Sequence, residues 1–324
     1  MSQQITFFDL FSGIGGFRLG LQQASPIYKC VGACEIDEYA RRIYFDQFGD
    51  YPEEDAVDIR GKYLPDFDLL TAGFPCQAFS IAGGRLGFEE SRGTVFYEIA
   101  RIAKEKRPRF LLLENVKGLL SHEAGLTFIQ IIATLEELGY DIQWQVLNSK
   151  YWIPQNRERI YIIGSLRDQP RPQVFPLSQG QAILDAKNTG KQGSKASIWS
   201  EGVVSTIDSR YGALRNSGET YIMLTEPKIK QLNDNSYHDT DRLYDVSGIA
   251  RTLRANSGGV GSKTGAYLVD NDIRQLTPKE CERLQGFPDD WTKGVSDTQR
   301  YKMLGNAVSV PVVKRIGEEL LHAI

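Results

Sequence analysis

The first 166 residues exchange two hydrophobic periods in a regular way, and this constrains the fold more than any other feature of the chain. Apolar runs of strand length stand at 5–11, 29–37, 68–74, 109–116, 142–147 and 159–166. Between them lie segments whose apolar residues recur three or four apart, the spacing of one helix face, at 17–24, 38–48, 93–106 and 126–138. In 93–106 the face is Val95, Ile99, Ile102 and Ala103; in 126–138 it is Ile129, Ile132, Leu135 and Leu138. A run such as Phe110-Leu111-Leu112-Leu113 has no polar alternation, so a strand made from it is wet on neither face. Strands of this kind separated by helices predict an α/β fold with a mostly parallel sheet covered on both faces.

The pattern changes after Leu166. Pro170, Pro172 and Pro176 mark a linker, since each fixes φ and removes a backbone donor. From 177 to about 269, glycines and polar residues dominate, with short β-like runs at 203–207, 220–224 and 266–269 and no long helical pattern. This predicts a separate, loop-rich domain. The segment 310–324 is amphipathic through Val313, Ile316, Leu320 and Leu321, and is expected to pack back on the first domain. The net charge of −3 does not mark a nucleic-acid binder, but 187–263 holds 11 Lys and Arg against 8 Asp and Glu. A phosphate-binding face and an ordinary solvated surface both fit that local excess. Met1-Ser2-Gln3-Gln4 lacks the basic start of a signal peptide. No apolar run approaches the roughly 18 residues of a membrane span, so the expected location is cytoplasmic. Cys30, Cys34, Cys76 and Cys281 are too few and scattered for a disulfide framework, which leaves Cys76 as a free thiol.

Four constellations carry chemistry. At Gly73-Phe74-Pro75-Cys76-Gln77-Ala78-Phe79-Ser80, a stiff proline presents a cysteine at the end of a buried strand, where open α/β sheets bind ligands. The glycine-rich loop to Gly93 reads as a mobile lid. Cys76 is then a nucleophile, against the alternative of a small buried apolar residue. Residues Asp9 to Gly16 run a strand into a glycine turn, where backbone amides can approach a nucleotide-like cofactor. The spacing Gly13, Gly15, Gly16 departs from GxGxxG, which disfavours a dinucleotide oxidoreductase. Glu35 and Asp37 end the next strand, placed either to accept from a ribose or simply to be solvated. Glu114 closes the most apolar strand, where desolvation suits a carboxyl to proton donation; the alternative is a cap. Gln155-Asn156-Arg157-Glu158-Arg159 offers two arginines to a carboxylate or a substrate carbonyl, or else forms a surface ion-pair cluster.

In order and together these blocks resemble the bacterial restriction–modification type of DNA cytosine-5 methyltransferase. The resemblance runs nearly end to end: DLFSGIGG at 9–16, GFPCQAFS at 73–80, SRGTVF at 91–96, ENVKG at 114–118, PQNRERIY at 154–161, ARTLRA at 250–255, LTPKECERLQGFPD at 276–289 and LGNAV at 304–308. The weakly matching part is about 176–247, where such enzymes vary. The resemblance implies a Rossmann-like S-adenosylmethionine-dependent sheet with a second, smaller, loop- and β-rich target recognition domain. Residues 1–175 plus 305–324 would be the catalytic and cofactor-binding domain, and 176–304 the target recognition domain.

The resemblance also implies roles. Cys76 would attack carbon 6 of a cytosine flipped out of a specific duplex site. Glu114 would bond ring nitrogen 3 and the exocyclic amine, and Arg159, supported by Arg157, the 2-oxo group. S-adenosylmethionine, leaving as S-adenosylhomocysteine, would lie against Phe11, Gly13 and Gly15, with Glu35 on the ribose, Asp58 on the adenine, and Pro75, Val95, Asn306 and Val308 completing the pocket. The position after the ribose acid, often aromatic in the family, is Ile36 here, so any stacking there is lost or replaced. DNA contacts would come from Gln77, Ser80, Arg92, Arg210, Arg215, Arg242, Arg251, Arg254 and Lys263. The implied chemistry calls for no metal. One subunit suffices for one flipped base, so a monomer is expected, with a cognate endonuclease acting separately. An RNA cytosine methyltransferase and a catalytically inactive DNA-binding relative are the alternatives.

Overall fold

The computed structural model describes residues 4–75, 95–169, 171–177, 198–199, 222–223, 231–232, 243–245, 247–255, 264–269 and 272–322. The chain divides into two compact units. The first is Met1–Leu147, Glu158–Leu177 and Val312–Ile324; the second is Asn148–Arg157 and Ser178–Pro311.

The first unit is built on six strands: β1 (Ile5–Leu10), β2 (Tyr28–Cys34), β3 (Leu69–Gly73), β4 (Phe110–Val116), β5 (Tyr140–Asn148) and β6 (Glu158–Leu166). Their order across the sheet is β2-β1-β3-β4-β6-β5. The pairs β1–β2, β1–β3 and β3–β4 are parallel, as the continuous apolar runs predict. The sheet is nevertheless mixed, because β6 runs antiparallel to β4, with Phe110 opposite Ser165 and Val116 opposite Arg159. That reversal sets the first residues of β6 beside the last residues of β4. Helices α1 (Gly16–Ala24), α2 (Glu38–Phe48), α3 (Val95–Lys106) and α4 (Leu126–Glu137) lie between the strands in sequence. Ile99, Ile102 and Ala103 of α3 and Ile131 and Leu135 of α4 share one core with Leu70, Ala72, Leu111, Leu113, Ile160 and Ile162. Each fully buried aliphatic side chain contributes about 1.5–3 kcal/mol of hydrophobic stabilisation.

β2 stops at Cys34, short of the expected 37. Asp37 instead caps α2, accepting from the Tyr39 and Ala40 amides, a contribution of about 1 kcal/mol. The last helix, Val310–Leu321, is amphipathic as expected. From Val312 it belongs to the first unit, where the Tyr28 hydroxyl donates to the Gly317 carbonyl at 2.7 Å.

In the second unit a small sheet joins β9 (Leu243–Asp245), β10 (Ala266–Val269) and β11 (Asp272–Gln275); Ile198–Trp199 (β7) pairs with Ile222–Met223 (β8). The expected run at 266–269 is thus a strand, that at 220–224 shrinks to two residues, and that at 203–207 lies outside the described residues. Two helices went unforeseen there, α5 (Pro278–Gln285) and α6 (Asp297–Asn306), which precede the last helix, α7 (Val310–Leu321). α5 opens with a capping box between Thr277 and Glu280 and has proline in its first turn. Its Glu282 is wholly buried and accepts from the Asp290 amide at 2.8 Å, the Thr292 amide at 2.9 Å, the Thr292 hydroxyl and Arg300 Nη2 at 3.0 Å.

Candidate active site

The turn after β1 is built for close approach. Phe11 (φ 55°), Gly13 (φ 54°) and Gly15 (φ 84°) all take left-handed conformations, costly for a side-chain-bearing residue such as Phe11. The two glycines differ in their surroundings. A Cβ at Gly15 would overlap the Phe48 ring, so this glycine serves packing. A Cβ at Gly13 would meet nothing within 4 Å, so this glycine leaves an open space over the turn. The Gly13 amide donates to Glu35 Oε2 at 2.8 Å, and the Asp37 amide to Glu35 Oε1 at 2.8 Å. The carboxylate is thereby fixed with acceptor capacity to spare. Burial pushes its pKa up, against the pull of those two amides. Asp58 is exposed in a turn, Pro75 is exposed, and half-buried Val95 begins α3.

Beneath the turn lies a group to which sequence reasoning gave no role. Asp9 is wholly buried, opposite Thr71 in the β1–β3 register, and accepts from the Thr71 hydroxyl at 2.8 Å. Desolvation raises its pKa to about 7, more than the Thr71 hydrogen bond and nearby Arg18 lower it.

Three neighbouring strands bring two of the expected residues, Glu114 and Arg159, together at one end of the sheet. β3 runs toward Pro75 and Cys76; its Gly73 pairs with Glu114 on β4, and the Phe74 amide donates to the Glu114 carbonyl at 3.2 Å. β6 starts alongside and sends Arg159 back. Arg159 Nε lies 3.0 Å from Glu114 Oε1, with side-chain exposures of 14% and 9%. Arg159 Nη1 also donates to the Glu158 carbonyl at 2.8 Å. A charge pair this dry is strong only if both partners stay. Asn115, next to Glu114, accepts from the Val116 amide, while its buried Nδ2 has no partner among the described residues. An asparagine after a predicted strand-end acid was the available signal for it.

The pentapeptide 155–159 does not act as one cluster. Glu158 is exposed and pairs with Lys117 at 3.0 Å. Arg157, expected beside Arg159, is 2% exposed and donates to three backbone carbonyls of the second unit: Leu253 at 3.3 Å, Gly305 at 3.0 Å and Ala307 at 2.8 Å. Asn306 is exposed and Val308 buried, both in that unit. Arg251, expected as a DNA contact, is 7% exposed with its guanidinium 6.0 Å from the Tyr244 ring centre, so it is not presented as a surface cation. Arg254 is exposed. Cys76, Gln77, Ser80, Arg92, Arg210, Arg215, Arg242 and Lys263 lie outside the described residues. Among the described residues no cluster of three or more His, Cys, Asp or Glu is placed to hold a metal. No described helix is long and apolar enough to cross a membrane.

A sheet of this order, with an acid–arginine pair at the end of β4 and a glycine turn after β1, fits the cytosine-5 methyltransferase class that the sequence resembles. Residues 5–322 match the family model of the C-5 cytosine-specific DNA methylase, and the chain belongs to that family. It is a DNA cytosine-5 methyltransferase. It is 40% identical over 319 residues to the Type II methyltransferase M.HhaI of Haemophilus parahaemolyticus, covering 96% of this chain and 93% of that one. It is also 40% identical over 309 residues to the Type II methyltransferase M.NgoBI of Neisseria gonorrhoeae, covering 94% and 90%. The fold is shared with the S. pombe Dnmt2 methyltransferase at a TM-score of 0.67 and 19% identity, covering 98% of this chain and 99% of that one. The DNA reading fits these relatives; the RNA-directed and inactive alternatives do not.

Proposed function

We propose that this enzyme methylates one cytosine within a specific duplex DNA site, with S-adenosylmethionine as donor, as the modification half of a restriction–modification system. The carrying observation is the buried Glu114–Arg159 pair, with Glu114 on the strand next to the one that leads into Pro75-Cys76. The open space over Gly13 and the oriented Glu35 carboxylate suit a nucleoside with a ribose to bind. Phe11, Gly13, Glu35, Asp58, Pro75, Val95, Asn306 and Val308 would hold the donor. Bound there, S-adenosylmethionine supplies an electrophilic methyl group.

The residues of the chain do the rest. The Cys76 thiolate adds to carbon 6 of the base, which makes carbon 5 nucleophilic. Glu114 supports the charge shift by bonding nitrogen 3 and the exocyclic amine. Arg159 holds Glu114 in place and donates to the 2-oxo group. Once carbon 5 is methylated, loss of its proton expels the thiolate and restores the ring. Carbon 6 is out of reach within a stack, so the base is flipped, at a cost of a few kcal/mol. Gln77, Ser80, Arg92, Arg210, Arg215, Arg242, Arg254 and Lys263 would hold the distorted duplex, mostly through phosphates. Arg157 belongs to positioning rather than to the reacting base. The enzyme acts as a cytoplasmic monomer, and a cognate endonuclease works separately.

The test is Cys76→Ser. It abolishes methylation while donor binding stays within about threefold of wild type. Wild-type enzyme, in turn, forms a stable covalent adduct with duplex DNA bearing 5-fluorocytosine in its site. Bisulfite sequencing of DNA from an expressing host identifies that site. Retained methylation in Cys76→Ser, or no adduct under turnover, refutes the mechanism.

A further inference from the structure

The end of α6 is held by more polar side chain than a helix end needs. A helix leaves its last carbonyls without intrahelical partners, and at a surface water satisfies them. Here two buried side chains take them. Gln285, wholly buried at the end of α5, donates Nε2 to the Leu304 carbonyl at 2.7 Å and to the Ala307 carbonyl at 3.3 Å. Arg157 donates Nη2 to Gly305 and Ala307. The Ser309 hydroxyl donates to Gln285 Oε1 at 3.3 Å, which fixes the end of the carboxamide that faces the carbonyls. From another side Gly305 lies flush on the 254–255 backbone: a Cβ there would lie 2.5 Å from the Arg254 carbonyl carbon. Residues 304–307 are thus held through their carbonyls and by close backbone packing, while the Asn306 side chain stands exposed on them.

Burying an amide and a guanidinium costs free energy that their hydrogen bonds must offset, and capping alone does not require it. Such a shell is what holds a binding side chain to within a fraction of an ångström. We propose that Gln285 and Arg157 are positioning residues for Asn306, fixing the turn from which its side chain engages the methyl donor. This rests on the reading above that Asn306 takes part in donor binding. Gln285 touches neither donor nor base; it acts through the backbone of the turn.

The experiment is a double-mutant cycle read by calorimetric titration with S-adenosylhomocysteine. Asn306→Ala weakens binding about tenfold. Gln285→Leu, with both donors gone, weakens it about as much, while kcat at saturating S-adenosylmethionine stays within threefold. The double variant binds no more than twofold worse than Asn306→Ala, because Gln285 has no effect except through Asn306. Multiplying losses would overturn the proposal, as would an unchanged Gln285→Leu beside a weakened Asn306→Ala. An unchanged Asn306→Ala overturns the donor-site reading itself. Should Gln285→Leu not fold, Ser309→Ala decides: it removes only the hydroxyl that orients Gln285, a two- to fourfold loss is expected, and no loss overturns the proposal.

Discussion

The pair at the end of β4 makes the sharpest demand on energetics. Arg159 Nε and Glu114 Oε1 are 3.0 Å apart, and neither side chain is more than 14% exposed. At an effective dielectric of 20 their attraction is about 5.5 kcal/mol, part of which offsets the cost of drying both groups. Removing Arg159 returns none of the desolvation cost of Glu114, so Arg159→Met is expected to destabilise the fold by about 3–5 kcal/mol. Glu114→Gln keeps the shape of the side chain and leaves Arg159 its bond to the Glu158 carbonyl; about 1–3 kcal/mol is expected there. The double variant holds neither charge and should lose at least about 1.5 kcal/mol less than the sum of the two. The assay is urea unfolding of all four proteins without donor or DNA, with thermal midpoints as a check, at about 2–4 °C per kcal/mol. Methyl transfer, followed separately, should fall by about a hundredfold or more in each variant. Stability losses that add within about 0.5 kcal/mol would show that the two charges do not support each other.

The two turn glycines should separate binding from folding. Gly13→Ala adds a methyl into open space at φ 54°, costs only about 1–2 kcal/mol of strain, and should weaken S-adenosylhomocysteine binding at least tenfold. Gly15→Ala drives its Cβ into Phe48 at φ 84° and should lower the melting temperature more, by about 2–4 kcal/mol in stability terms. Equal melting temperatures for the two would contradict this division. Asp9 makes stability depend on pH. Its folded pKa of about 7 lies above the ordinary 3.8, so between those values the unfolded chain gives up this proton first. Stability from this group is full below about pH 4, falls by about 4 kcal/mol as pH rises to 7, and is flat above. Asp9→Asn should remove that slope in unfolding curves at pH 5, 6, 7 and 8; an unchanged slope assigns it to other groups. Glu282→Gln turns a donor toward groups that already donate, and should cost about 3 kcal/mol and several degrees of melting temperature.

The parts of the fold visible in the sequence are those that local periodicity controls. Apolar runs such as Phe110–Leu113 and the face of α2 marked their elements to within a residue or two. The reversal of β6 was hidden, because an antiparallel strand buried on both faces carries the same apolar signature as a parallel one. Helices α5 and α6 were hidden for the opposite reason. Lys279, Glu280, Glu282 and Arg283 make α5 look like loop; its evidence was the cap Thr277-Pro278 and Glu280, a terminal signal instead of a periodic one. The candidate site was legible where a motif fixes position along a strand, as at Glu114. It was not legible where work depends on which way a side chain turns.

Gln155-Asn156-Arg157-Glu158-Arg159 is the clearest instance of that last limit. Composition and periodicity alone do not tell the two arginines apart. The boundary between the two compact units falls between Arg157 and Glu158, and β6 begins at Glu158. Arg159 is therefore bound by strand alternation and by the partner strand, which leaves it facing a carboxylate. Arg157 precedes the strand and is free of that period; its amide is tied to Asn148 at 3.1 Å and its guanidinium to carbonyls. A carboxylate rewards the charge of arginine, whereas separate carbonyls reward its spread of five donors. Lysine keeps the first and not the second. Two residues of one kind, two positions apart, thus answer to different chemistry, and only the start of β6 decides which is which.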